Sequence, residues 1–216
     1  RPDTEQQSCS NEAIHKFTFA GIFGKLVNAE ANISRDRLGK IDLSSWRYQA
    51  EGMPGGVMLQ IGVHYVDVLE YLMGPITAVS GQAAQLVLPG DNPDVASLLL
   101  QHENGALSTV NASYASATEN YVMNIYGKEA SAYFDLRGGL RFIKRGTETV
   151  EQIPFDKNDT FVDELDEFAM AVRGHGTPET GGDYATRSLG VIRAGIISAR
   201  EGRRVQLSEV LADPNA

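Results

Sequence analysis

Gly55-Gly56-Val57-Met58-Leu59-Gln60-Ile61-Gly62-Val63-His64-Tyr65-Val66-Asp67-Val68-Leu69-Glu70-Tyr71-Leu72-Met73-Gly74-Pro75 is the stretch on which the fold turns. Two glycines open it, Val57, Ile61, Val68, Leu69 and Leu72 recur as an apolar stripe, and Gly74-Pro75 stops it, so it reads as a helix with one face buried. Immediately upstream, Ser34 to Gly55 is charged, broken by turn residues and interrupted by Trp46-Arg47-Tyr48. Irregular loops of that length usually exist for a functional reason. Further back, Leu26 to Ile33 alternates apolar and polar residues as a strand does, after a short helix expected around Asn11 to Phe19.

Downstream the character changes. Extended runs follow at Ala78 to Leu88, Val95 to Gln101, Leu107 to Ser113, Tyr121 to Tyr126, Ala130 to Asp135, Leu140 to Lys144 and Thr149 to Phe155. Asn104-Gly105 supplies the positive φ angles of a tight hairpin turn, so consecutive strands are expected to meander. Two helices close the chain: Thr160 to Arg173, with Phe161, Leu165, Phe168, Ala169 and Val172 on one face, and Asp183 to Arg200, stopped by Gly202. Strands grouped in the middle with helices at both ends indicate an α+β fold, a mostly antiparallel open-faced sheet with helices packed on one side. One domain over residues 11–210 is expected, between an irregular 1–10 segment and a 211–216 tail.

With 216 residues, 42% hydrophobic and 22% charged, the chain has the composition of a globular domain rather than a disordered or membrane-spanning one. Its formal charge of −9 makes a nucleic-acid partner improbable and leaves small molecules or proteins. The single cysteine, Cys9, cannot form an intramolecular disulfide, which suits the reducing cytoplasm. Arg1 to Gln7 has neither an initiator methionine nor a signal-peptide core and reads as a cut or processed start.

No Gly-x-Gly-x-x-Gly opens a helix after a strand: Gly174, Gly176, Gly181 and Gly182 have the wrong spacing and lie between helices, and a P-loop is missing. His64 stands out as a polar group on an otherwise apolar helix, with Gln60 four residues earlier. A neutral imidazole there can accept a proton from a substrate hydroxyl, with Gln60 fixing its tautomer; the bland alternative is a core histidine bonded to a backbone carbonyl. Asp67 adjoins His64 at i+3, but two ligands do not make a metal site, and His102 and His175 lack ligand spacing, so no metal is expected. No Gly-x-Ser-x-Gly surrounds a serine, so nucleophilic catalysis has no supporting constellation. Trp46 and Arg47 suit a pocket wall for an anionic or hydroxylated ligand, or serve only as packing and a surface ion pair. Arg35, Asp36 and Arg37 read as a solvated charge cluster or as ligand contacts.

Taken together, Trp46-Arg47, Gly55-Gly56, Gln60-Ile61-Gly62-Val63-His64-Tyr65-Val66-Asp67 and Leu72-Met73-Gly74 resemble the C-terminal domain of the glucose-fructose oxidoreductase / inositol dehydrogenase / rhizopine catabolism (Gfo/Idh/MocA) family, as do Asp94 to Ser97, Glu103 to Ala106, Ile125 to Ala130 and the closing helices up to Val205. The resemblance covers roughly residues 11–208. It implies a dihydrodipicolinate-reductase-like sheet domain that binds substrate and forms a homo-oligomer through its sheet face. It also implies a Rossmann half, absent from this chain, that holds most of an NAD or NADP cofactor. By position, the resemblance makes His64 the catalytic acid/base, Trp46, Arg47 and Gln60 substrate contacts, and Arg47 also a neighbour of the nicotinamide. The family's aspartate four residues before the histidine falls on Gln60, which orients an imidazole but cannot stabilise an imidazolium by charge. The function implied is that of an NAD(P)-dependent oxidoreductase acting on a sugar, polyol or related cyclic compound, inert without its other half. The alternative is a stand-alone ligand-binding or oligomerisation module.

Overall fold

The structure is a computed structural model that describes residues 11, 13–154, 160–178 and 180–212. The expected 1–10 segment with Cys9, Phe155, the Phe161 side chain and residues 213–216 of the expected tail lie outside them. Among the described residues nine strands form one sheet: β1 Leu26–Asp36, β2 Ile76–Ala84, β3 Val95–His102, β4 Leu107–Ser113, β5 Ala115–Gly127, β6 Ala130–Asp135, β7 Gly139–Lys144, β8 Glu151–Ile153 and β9 Val205–Gln206. Helix α1 covers residues 13–19, α2 Val63–Met73, α3 Thr160–Val172, α4 Gly182–Glu201 and α5 Leu207–Leu211. No helix among the described residues is long and apolar enough to cross a membrane.

The spatial order is β8-β7-β6-β5-β1-β4-β3-β2-β9. Every pairing is antiparallel except that of β1 with β4. The expected meander therefore fails at one place: β4 and β5, neighbours in sequence, do not pair but flank β1. Only Tyr114 separates them, so the chain runs up beside β1, bends across its end and returns along its other side. The alternation that marks a strand says which face a residue occupies, but is silent on which strand lies beside it.

One face of the sheet is buried. Ala29, Ala31 and Ile33 of β1 line up there with Leu98 and Leu100, Val110 and Ala112, Tyr121, Met123 and Ile125, and Phe134. Helices α2 and α4 cover the β1–β4 part of that face, from β1 to β2 in the sheet, through Tyr65, Val66, Leu69, Val191 and Ile192. The opposite face carries partly exposed polar side chains such as Glu30, Asn124 and Tyr126, joined by hydrogen bonds from Asn124 and Tyr126 to Glu30. The α+β architecture with helices on one side matches the sequence reading. Helix α3 departs from it: Leu165, Phe168 and Val172 of its expected buried stripe are 66%, 62% and 71% exposed.

The helix read from Gly55 to Gly74 has two parts. Met58–Gly62 winds as a π-helical turn, and α2 proper starts at Val63. A π turn holds one extra residue per turn and is commonly found at functional sites. The glycine pair before it is required by shape. Gly55 and Gly56 have φ of +81° and +51°, and a Cβ on Gly56 would stand 2.5 Å from the Pro93 carbonyl oxygen. That carbonyl accepts the Val57 N–H at 3.2 Å, so the helix entry is pinned to the loop before β3.

Candidate active site

The end of β1, the irregular loop and the π turn meet at Tyr114. Its ring is buried, its carbonyl accepts the Arg37 N–H at 2.9 Å, and its own N–H donates to the Asp94 carbonyl at 2.9 Å. The Asp94 carboxylate in turn accepts the N–H groups of Leu86, Val87 and Leu88 at 2.7–2.9 Å, making a rigid knot of the loop before β3. The Tyr114 hydroxyl donates to Gln60 Oε1, and Gln60 Nε2 donates to the Arg47 carbonyl at 2.8 Å. One glutamine thus ties the crossover bend to the turn Trp46–Tyr48. Burial pushes the Tyr114 hydroxyl above the ordinary tyrosine range despite the arginine charges around it, so it acts as a neutral donor.

These bonds change the expectation for Gln60. Both of its polar atoms are engaged with Tyr114 and Arg47, and the π turn takes it out of the α-helical register that would stack it on His64. The tautomer-fixing bond expected between them is not formed. The first turn of α2 leaves His64 exposed, and among the described residues it makes no hydrogen bond. Although its edge reaches solvent, desolvation by the surrounding protein lowers its pKa below 6.5, and the nearby Arg35 charge lowers it further against the opposing pull of Asp67. The imidazole is therefore neutral at pH 7 and free to accept a proton. Asp67, one turn on, receives the Ser188 hydroxyl at 3.1 Å, and burial raises its carboxyl above the usual aspartate value.

Two other histidines, His102 and His15, serve the fold. His102 is buried, with Nδ1 at 2.7 Å from the Gly74 carbonyl and Nε2 at 2.8 Å from the Ser108 hydroxyl. A carbonyl only accepts, so Nδ1 carries the proton and Nε2 accepts from Ser108. The bland reading considered for His64 thus describes His102. His15 stacks on Tyr71 and bonds its hydroxyl. No cluster of three or more metal-ligating side chains occurs among the described residues.

Trp46 is 55% exposed, with the Arg47 guanidinium 5.6 Å above its ring. Gln60 brings the Arg47 backbone to the π turn, so the sequence-predicted Trp46, Arg47 and Gln60 do converge on one corner. Arg35 and Arg37 contradict the solvated-cluster reading: they are half-buried, and their guanidinium carbons lie 5.6 Å from the Tyr121 ring centre and 6.0 Å from that of Tyr114. Tyr114 was missed by sequence reasoning. The available signal was an aromatic residue directly after the Leu107–Ser113 run, where β5 starts six residues earlier than the apolar pattern predicts.

The GFO/IDH/MocA C-terminal domain, as a family model, matches residues 12–133. D-apiose dehydrogenase of Paraburkholderia graminis is 28% identical over 176 residues, spanning 74% of this chain and 47% of that protein. 1,5-Anhydro-D-fructose reductase of Ensifer adhaerens is 23% identical over 172 residues, spanning 76% and 51%. The chain thus spans about half the length of these curated relatives. Among solved structures, levoglucosan dehydrogenase in complex with NADH and levoglucosan superposes with a TM-score of 0.81 at 18% identity, over 94% of this chain and 65% of the other. The WlbA dehydrogenase of Bordetella pertussis, in complex with NADH and UDP-GlcNAcA, does so with a TM-score of 0.77 at 21% identity, over 94% and 63%. These likenesses carry the fold, and the sequence match over more than half of the residues carries the kinship: the chain belongs to the GFO/IDH/MocA C-terminal domain family.

Proposed function

We propose that this chain is the substrate-binding and catalytic half of an NAD(P)-dependent dehydrogenase acting on a sugar or related cyclic compound, with His64 as its acid/base. The observation that carries the reading is the exposed, neutral imidazole of His64 at the start of α2, beside a rigid corner of polar and aromatic groups. The curated relatives are sugar oxidoreductases, which favours the same substrate class.

The described residues offer no glycine-rich phosphate cradle, so they fit only the nicotinamide end of a dinucleotide, where exposed Trp46 and Arg47 provide a flat apolar surface and a donor. When bound, the nicotinamide supplies the hydride acceptor or donor. This chain does the rest. Trp46 and Arg47 wall the substrate, Gln60 and Tyr114 hold that wall in place, and His64 takes the hydroxyl proton during oxidation and returns it during reduction. Asp67 steadies the imidazolium from the next turn, the charge that Gln60 does not supply. A cytoplasmic location and a homo-oligomer joined through the open sheet face belong to the same reading; a monomer in light scattering at micromolar concentration removes the second.

The test joins the chain to its upstream coding sequence and follows nicotinamide absorbance with a panel of sugars. His64→Ala is expected to lower kcat by about 10²–10⁴-fold. An unchanged kcat removes His64 from the chemistry, and a complete reading frame without a dinucleotide-binding part favours a stand-alone binding module instead. Because only neutral imidazole accepts a proton, kcat/KM is expected to fall as pH drops through the His64 pKa, below 6.5.

A further inference from the structure

Three arginines, Arg35, Arg37 and Arg47, surround Tyr114 closely enough for each charge to act on its hydroxyl, and Arg35 also acts on His64. In a chain of formal charge −9, none of the three has an ion-pair partner among the described residues. Asp36, which stands between two of them, gives its carboxylate to the Leu38 N–H at 3.0 Å. Glu119 is met by the Tyr121 hydroxyl at 3.5 Å, and Asp67 by Ser188. The Nε atoms of Arg35 and Arg37 are buried and lack an acceptor. Arg141 also leaves Nε without an acceptor, but its charge is met by Asp135 at 2.5 Å. Arg35 and Arg37 have neither, and are held only against aromatic faces.

An aromatic face orients a guanidinium and offsets part of its desolvation, but accepts none of its in-plane N–H bonds. Those bonds are arranged to meet a planar or tetrahedral oxyanion two at a time. Arg35 lies in the last residues of β1 and Arg37 directly after it, with their guanidiniums against Tyr121 and Tyr114 and their charges within reach of the Tyr114 hydroxyl, and that of Arg35 also of His64.

We propose that this corner is an oxyanion subsite, and that the substrate is a sugar bearing a carboxylate or a phosphate ester, which Arg35 and Arg37 grip while His64 meets the reacting hydroxyl. The inference rests on reading His64 as the acid/base and narrows the substrate class of that site. Locally concentrated positive charge on an acidic protein also steers such a ligand to this corner.

The test uses the complete protein containing this chain and matched sets of sugars: D-glucose, D-glucuronate and D-glucose 6-phosphate, with the corresponding galactose and mannose sets. In at least one set an anionic member is expected to exceed the neutral one in kcat/KM by about tenfold or more. A preference for the uronate identifies a carboxylate, and a preference for the 6-phosphate a phosphate ester. Arg37→Gln is expected to erase about tenfold of that preference by raising KM for the anionic sugar, and Arg35→Gln to do the same while also raising the His64 pKa, because its charge acts on that imidazole. Arg37→Lys, which keeps charge but loses the fork, should restore only part. Neutral sugars preferred throughout, or an anion preference unchanged in both glutamine variants, overturn the proposal. If no sugar is oxidised, the dehydrogenase reading fails, and calorimetry decides the subsite separately. Binding of D-glucuronate or D-glucose 6-phosphate that Arg37→Gln weakens about tenfold sustains it, and absence of such binding overturns it.

Discussion

Two arginine settings in this molecule obey opposite rules. At the seam between α2, α4 and β2, Arg187 places Nε and a terminal nitrogen 3.0 and 2.8 Å from Glu70 Oε1, which also accepts the Ile76 N–H at 3.1 Å. Glu70 is 5% exposed, so its charge sits in the core with a cation fixed upon it. At the corner by Tyr114, Arg35 and Arg37 lie on tyrosine faces with no carboxylate on them. A buried charge without its partner is costly, so the seam needs its arginine to fold. The corner gains little from its arginines in the free protein. The difference separates a charge used to hold helices together from one kept available to something that arrives.

The widest gap between the two settings is expected from Arg187→Ala, which strands Glu70 in the core and should cost roughly 3 kcal/mol in urea unfolding. A loss below about 1 kcal/mol would make the seam no different from the corner. Gln60→Ala comes next. It removes the acceptor of the buried Tyr114 hydroxyl and the donor to the Arg47 carbonyl, an expected cost of about 1–2 kcal/mol together with a raised KM. Loss of stability without a kinetic change would mark Gln60 as part of the scaffold alone.

A smaller effect depends on pH. Burial lowers the pKa of His102 below 6.5, so the unfolded chain binds the proton that the folded chain refuses. Stability should then fall as pH drops from 6.5 toward the folded-state value, and be flat with respect to this group above 6.5. The depressed carboxyls of Glu30 and Asp94 act in the same direction only below their ordinary values of 4.5 and 3.8. Unfolding midpoints on either side of 6.5 read the window, and a midpoint that rises on acidification contradicts it. Smallest of all, Arg35→Gln and Arg37→Gln should each move stability by no more than about 0.5 kcal/mol, since no ion pair is lost. A loss near that of Arg187→Ala would make the corner structural.

Much of this was legible in the sequence, for identifiable reasons. Alternation in Val95 to Gln101 and Leu107 to Ser113 found β3 and β4, because a half-buried sheet imposes a period of two on its own residues. The insertion of β1 between β4 and β5 was not legible, because pairing across 79 or more residues leaves no local pattern. His64 was legible as a polar residue out of place on an apolar helix. Its separation from Gln60 was not, because an α-helical count cannot anticipate a π turn. Arg35 and Arg37 looked like surface charge, since their burial comes from Tyr114 and Tyr121, which reach them only through the crossover at the end of β1.

The place of β1 also sets a timetable. It is the first strand of this chain to leave the ribosome, yet Met123, which pairs with Ala31, follows 92 residues later. At about 5–20 residues per second, β1 waits roughly 5–20 s for its second neighbour. Until β4 emerges, Ala29, Ala31 and Ile33 have no sheet to close upon, and until β5 follows the nascent chain carries one unsatisfied strand edge that a chaperone would shield. Slow codons placed within β4 or the first half of β5 would lengthen that exposure, whereas the same codons after Gly127 would not.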